Sequence, residues 1–135
     1  MLLVITEKPS VARDLARVLG ANTRRKAWFE GQDPNGQKVS ISWCFGHMCE
    51  LPNPEHYNPE WKRWRLDTLP MIPAEFELNV RADVREHWQE LRRLLNLDTV
   101  TQVVNACDAG REGELIFRYV IQAAGCTKDT QRLWV

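Results

Sequence analysis

The sequence has no surplus of either charge: 18 Lys and Arg residues balance 18 Asp and Glu residues over 135 positions. That excludes a protein that grips nucleic acid through overall basicity, so any such contact must come from local patches. No apolar run approaches the roughly 18 residues of a membrane-spanning helix, so no membrane partner is expected. The opening Met1-Leu2-Leu3-Val4-Ile5-Thr6 has no basic lead and meets an acid at Glu7, so it does not read as a signal peptide. The four cysteines, Cys44, Cys49, Cys107 and Cys126, include no Cys-x-x-Cys pair. Zinc held by thiolates and a disulfide framework are both disfavoured, which leaves reduced, mostly buried thiols in a cytoplasmic protein. Neither a Gly-x-x-x-x-Gly-Lys loop nor a Gly-x-Gly-x-x-Gly turn occurs, so those two nucleotide cradles are missing.

What is present is enough for one domain over 1–135. Size scaling gives a folded surface of roughly 7,300 Å² against roughly 22,800 Å² unfolded, so a core forms without metal or disulfides. Leu2 to Thr6 is continuously apolar, as in a strand covered on both faces of a parallel sheet. Pro9 suits a first helical position, Val11, Leu15, Val18 and Leu19 share one helical face, and Gly20 sits where a terminating glycine belongs. Residues 38–45 alternate and predict a half-buried strand, with 27–31 as hairpin partner across Asp33-Pro34-Asn35-Gly36. Val84, Trp88, Leu91 and Leu95 predict a helix over 83–96. Val100 to Ala106 predicts a strand, 112–124 a third helix, and Arg132 to Val135 the start of another strand. A strand at the last residue suggests a piece of a longer polypeptide. The proline-rich stretch 52–73 reads as an excursion from the domain, because Trp61, Trp64, Leu66 and Leu69 call for burial. The order is strand, helix, hairpin, helix, strand, helix, strand, an α/β class with a mainly parallel sheet flanked by helices.

In such sheets ligands bind beyond the carboxyl ends of the strands. Glu7 follows the first strand directly, and Asp108 follows Val103-Val104-Asn105-Ala106-Cys107. On neighbouring strands, about 4.8 Å apart, the two carboxylates face each other. Glu112 lies one helical turn further on and can point back to the same place. Each acid alone is what a helix start favours through its dipole. Three together repel unless a cation sits among them, and oxygen donors suit Mg²⁺. Arg111 offers a planar fork for phosphate, and Lys8 stands where it can reach the same group. His47, after Gly46, reads by itself as a capping or packing residue more readily than as a functional one. Tyr57 and Tyr119 read as packing or surface residues.

Thr6-Glu7-Lys8-Pro9-Ser10, Trp43-Cys44-Phe45-Gly46-His47-Met48, Asp108-Ala109-Gly110-Arg111-Glu112-Gly113-Glu114-Leu115-Ile116 and Arg132-Leu133-Trp134 together resemble, in order, the start of type IA DNA topoisomerases of the topoisomerase III branch. The resemblance implies a Toprim, Rossmann-like fold with a four-stranded, mainly parallel sheet. It implies that Glu7 is a metal-associated general acid/base at the scissile phosphate and that Asp108 and Glu112 hold Mg²⁺, with Mn²⁺ as a substitute. Lys8 and Arg111 then act on the cleaved strand, and Lys8, Arg13, His47 and Arg111 contact single-stranded DNA. Gly110 departs from the common Asp-x-Asp-x-Glu pattern at its middle acid, which points to one metal ion. The family's nucleophilic tyrosine matches neither Tyr57 nor Tyr119. The expectation is therefore an N-terminal Toprim domain of a cytoplasmic, nucleoid-associated enzyme, partnered by the rest of that polypeptide. That enzyme is expected to cleave and rejoin DNA without ATP, and this domain alone not to relax DNA. Two other readings carry the same acids. A stand-alone Toprim nuclease or primase-like enzyme supplies its own water or nucleotide chemistry. A receiver module needs paired acids after the first strand, where Glu7 stands alone beside Lys8.

Overall fold

A computed structural model describes residues 1–134. Its main sheet has six strands in the order β2-β3-β4-β1-β7-β8. These are β1 (Leu2–Thr6), β2 (Thr23–Arg24), β3 (Trp28–Gln32), β4 (Lys38–Trp43), β7 (Gln102–Ala106) and β8 (Asp129–Arg132). Two further two-residue strands, β5 (Cys49–Glu50) and β6 (Asn79–Val80), pair with each other. The helices are α1 (Pro9–Val18), α2 (Pro54–Tyr57), α3 (Arg85–Leu95) and α4 (Arg111–Ala124). Strands β4, β1, β7 and β8 are parallel, and β3 and β2 extend the sheet antiparallel.

Strand β1 is central and its side chains divide between two cores, as the uninterrupted apolar run requires. Leu3 and Ile5 pack with Leu91 and Leu95 of α3 and Phe117 and Val120 of α4. Val4 packs on the other face with Ala12 and Ala16 of α1, Phe29 and Ile41. The terminators act where the sequence puts them. Pro9 opens α1, while Gly20 and Gly125, just past α1 and α4, take φ of 70° and 65°, which a side chain rarely adopts.

Three expectations need correction. The strand over 38–45 ends at Trp43 and is covered on both faces, not one. Ser42 Oγ donates 2.7 Å to the Ala27 carbonyl, so its polar face is buried yet satisfied. The last strand lies at 129–132, earlier than expected; it is a polar edge strand with no apolar run to mark it, and Val135 lies outside the described residues. In the excursion, Trp64 is 79% exposed, Leu66 91% and Leu69 44%, so three of the four residues expected to be buried are not. Its prolines limit it to short turns that leave the sheet, and only Trp61 reaches a small cavity of about 150 Å³, with Met71 and Phe76. The accessible surface, 8350 Å², exceeds the scaling value accordingly.

Candidate active site

The registers decide where the chemistry collects. Thr6 pairs with Trp43 on one side and Ala106 on the other, so β4, β1 and β7 end level. The residues that follow emerge along one rim. The Cys44 amide donates to the Thr6 carbonyl (2.7 Å) and the Gly46 amide to the Glu7 carbonyl (3.2 Å), which fastens the Gly-His turn to the first strand's end. Gly46 has φ of 60°, a turn that favours glycine.

On this rim Glu7 and Asp108, 101 positions apart, are neighbours: the Asp108 amide donates to Glu7 Oε2 at 3.3 Å. Lys8 Nζ donates to Asp108 Oδ2 at 3.2 Å, with both side chains half exposed. Glu112, in the first turn of α4, meets His47 Nε2 through Oε2 at 3.1 Å. Arg111 points to solvent, 92% exposed, with a loose 3.6 Å ion pair to Glu112. Arg13 is exposed on α1 and makes no side-chain hydrogen bond or ion pair with these groups. The rim therefore forms two adjacent pairs, Glu7 with Asp108 and His47 with Glu112. Among the described residues no three acids, histidines or cysteines converge on one point.

Beneath the rim lies a support that the sequence reading missed. Arg132 Nη2 donates to the Asp108 carbonyl at 2.9 Å and Nη1 to Glu114 Oε2 at 3.2 Å. Asn105 Nδ2 donates to the same Glu114 oxygen at 2.8 Å, and Arg118 Nε to Glu114 Oε1 at 2.7 Å. Asn105 was the available signal: an amide within an apolar strand demands a partner. Gly113 lets α4 approach, since a Cβ there would lie 2.1 Å from the Asp108 carbonyl oxygen. Gly110 is different. Its backbone is extended, and a Cβ there meets nothing within 4 Å, so a side chain would fit where the family's usual pattern has its middle acid.

The thiols behind the rim are buried and free. Hydrogen bonding to Cys107, together with burial, pushes the Cys44 thiol well up, and burial alone lifts Cys49 to about 11. Neither Cys44 nor Cys49 is poised as a thiolate. Burial also lowers His87, which stacks on Trp43 and donates 2.7 Å to the Trp43 carbonyl. Neither tyrosine reaches the rim: Tyr57 Oη accepts from the Glu77 amide, and Tyr119 packs against the core.

The family model for the Toprim domain matches residues 2–135. The chain belongs to the Toprim family. Its mostly parallel sheet flanked by helices is consistent with that fold, and with β2 and β3 it has six strands where four were expected. Among curated proteins it is similar to DNA topoisomerase 3 of Shouchella clausii, 43% identical over 132 residues, covering 98% of this chain and 17% of that protein. It is also similar to DNA topoisomerase 3 of Bacillus licheniformis (40% over 133 residues) and of Staphylococcus saprophyticus (38% over 133 residues), in each case covering 98% of this chain and 18% of the relative. The chain thus spans less than a fifth of the length of these relatives. No helix among its described residues is long and apolar enough to cross a membrane.

Proposed function

We propose that this Toprim domain handles the scissile phosphate in a topoisomerase III-like enzyme that cuts and rejoins single-stranded DNA by transesterification. The observation that carries the reading is the Glu7–Asp108 juxtaposition across adjacent strand ends, with Lys8 on the same carboxylate. A tyrosine from elsewhere in the longer polypeptide attacks the phosphodiester. The phosphorus–oxygen bond to the 3′ oxygen breaks, a 5′-phosphotyrosyl bond forms, and the reverse attack of the 3′-OH reseals the strand. Glu7 gives the departing 3′ oxygen its proton and takes it back on resealing, while the tyrosine hydroxyl's proton leaves to solvent on attack and returns on resealing. Lys8 and Arg111 hold the phosphate's non-bridging oxygens, and Arg13 and His47 contact the flanking strand. The phosphotyrosyl bond conserves the energy of the broken linkage, so no ATP is needed. Without the tyrosine and its gate, this domain alone does not relax DNA.

The donor set fits a hard divalent ion. Half-exposed carboxylates on an open rim, paired with Lys8, His47 and loosely Arg111, suit Mg²⁺, which takes one or two carboxylates and keeps its waters. Asp108 and Glu112 would hold it with Glu7 close by, and Mn²⁺ has the same oxygen preference. When bound it supplies positive charge against the phosphate. Glu7→Gln in the full-length enzyme tests the reading: relaxation and the covalent DNA adduct are lost and single-strand binding persists. Relaxation at the normal rate would remove the acid/base role. Metal-dependent cleavage of a labelled single strand by this chain alone, abolished by Glu7→Gln, would replace the reading with a self-sufficient nuclease.

A further inference from the structure

Away from the rim, β6 and the exposed face of α3 border a cleft of about 600 Å³ lined by Arg81, Arg85, Trp88, Gln89, Arg92 and Glu50. Arg85, Gln89 and Arg92 recur at i, i+4 and i+7, so one helical face presents two guanidiniums and an amide to the opening. The rise of a helix sets the arginines about 10 Å apart, far enough to grip different phosphates of one strand. Among the described residues neither Arg85 nor Arg92 has a carboxylate partner. The helix's acids are engaged elsewhere, Glu86 with Lys26 and Glu90 with Arg93. Arg81 is paired with Asp83, and Glu50 is the lone acid in the lining.

The cleft is joined to the rim. Arg81 Nη1 donates to the His47 carbonyl at 2.9 Å, and the His47 ring meets Glu112 at 3.1 Å. One residue thus separates the arginine-lined groove from the acids. Trp88, the one aromatic side chain in the lining, is only 7% exposed, so arginines and amides dominate the accessible lining. In a chain with zero net charge, two unpaired guanidiniums on one face are a local anion site of the kind that planar forks make with phosphate.

We propose that the β6–α3 cleft binds the sugar-phosphate backbone of the single strand on its way to or from the rim, through Arg85 and Arg92. The proposal rests on the DNA-handling reading above, and its test is a binding measurement that reading does not share. Fluorescence anisotropy of a labelled 20-nucleotide oligothymidylate is titrated with the 135-residue chain from 50 to 200 mM salt. Arg85→Glu with Arg92→Glu is expected to weaken binding at least tenfold and to cut the log–log salt slope by about 1.4, two single-strand phosphate contacts. Arg17→Glu with Lys38→Glu, also exposed and of equal charge change, is expected to alter affinity less than threefold. Circular dichroism is expected to show each variant folded, because all four positions are exposed. Equal losses in the two double variants, no loss in either, no binding by the unaltered chain, or tighter binding of an acidic polypeptide than of the oligonucleotide would each overturn the proposal. Cleavage that survived Glu7→Gln would remove the reading of the rim and leave this result standing.

Discussion

Gly113→Ala sets two physical effects against each other. By helix propensity the change stabilises, by roughly 1 kcal/mol, since Gly113 lies inside α4. By packing it destabilises. The new Cβ would lie 2.1 Å from the Asp108 carbonyl oxygen, 2.9 Å from its amide nitrogen and 3.0 Å from its carbonyl carbon, all backbone atoms. Ordinary contact begins at 3.4 Å, so α4 or the Asp108 loop must retreat by about 1.3 Å. That is too far for the Arg132 bond to the Asp108 carbonyl and the Asp108 amide bond to Glu7 to survive unchanged. Overpacking at its upper range is worth about 3 kcal/mol. The net loss is about 2 kcal/mol, which in a domain of this size lowers Tm by roughly 8 °C. Thermal unfolding by circular dichroism measures it, with Gly110→Ala as control. There the Cβ meets nothing and the backbone is extended, so Tm holds or rises slightly. A Gly113→Ala protein as stable as the parent, or more so, would refute the close approach of α4 to Asp108.

His87 supplies a pH dependence. Burial lowers its folded pKa, so the unfolded chain, with a histidine near 6.5, takes up the proton first, and stability present above pH 6.5 is lost as pH falls through the folded value. Urea midpoints at pH 7.5 and 5.5 should differ less in His87→Gln than in the parent; an equal difference contradicts the assignment. Leu66→Ser, at a fully solvated position, should change stability by under about 0.5 kcal/mol. Leu95→Ala, with no exposed surface, should lose about 2–5 kcal/mol in the same chemical denaturation.

The frame of the molecule was legible because its main elements carry strong periods. Leu2–Ile5 is apolar throughout, and Val84, which caps α3, shares a face with Trp88, Leu91 and Leu95. Pro9 and Gly20 marked where α1 starts and stops. Elements without a period were not legible. Strands β5 and β6 have two residues each, and β8 reads Asp-Thr-Gln-Arg, indistinguishable from a loop until it pairs beside β7. Burial of the excursion was misjudged because tryptophan and leucine state a preference that a proline-broken segment off the sheet cannot satisfy. At the site, the meeting of Glu7 and Asp108 was readable, since it follows from adjacency of two parallel strands. The pairing of Glu112 with His47 and the Arg132–Glu114–Asn105 support were not. They depend on which rotamer meets which partner across 65, 18 and 9 positions, and no local spacing encodes that.

The proposal on which the account depends is that acids from both ends of the chain form one cation-holding rim. Isothermal calorimetry of Mg²⁺ binding to the chain and to Asp108→Asn with Glu112→Gln tests it most directly. The account predicts measurable binding to the parent and none to the double variant, with the unfolding transition of the variant intact. Equal Mg²⁺ affinity in the two proteins would contradict it.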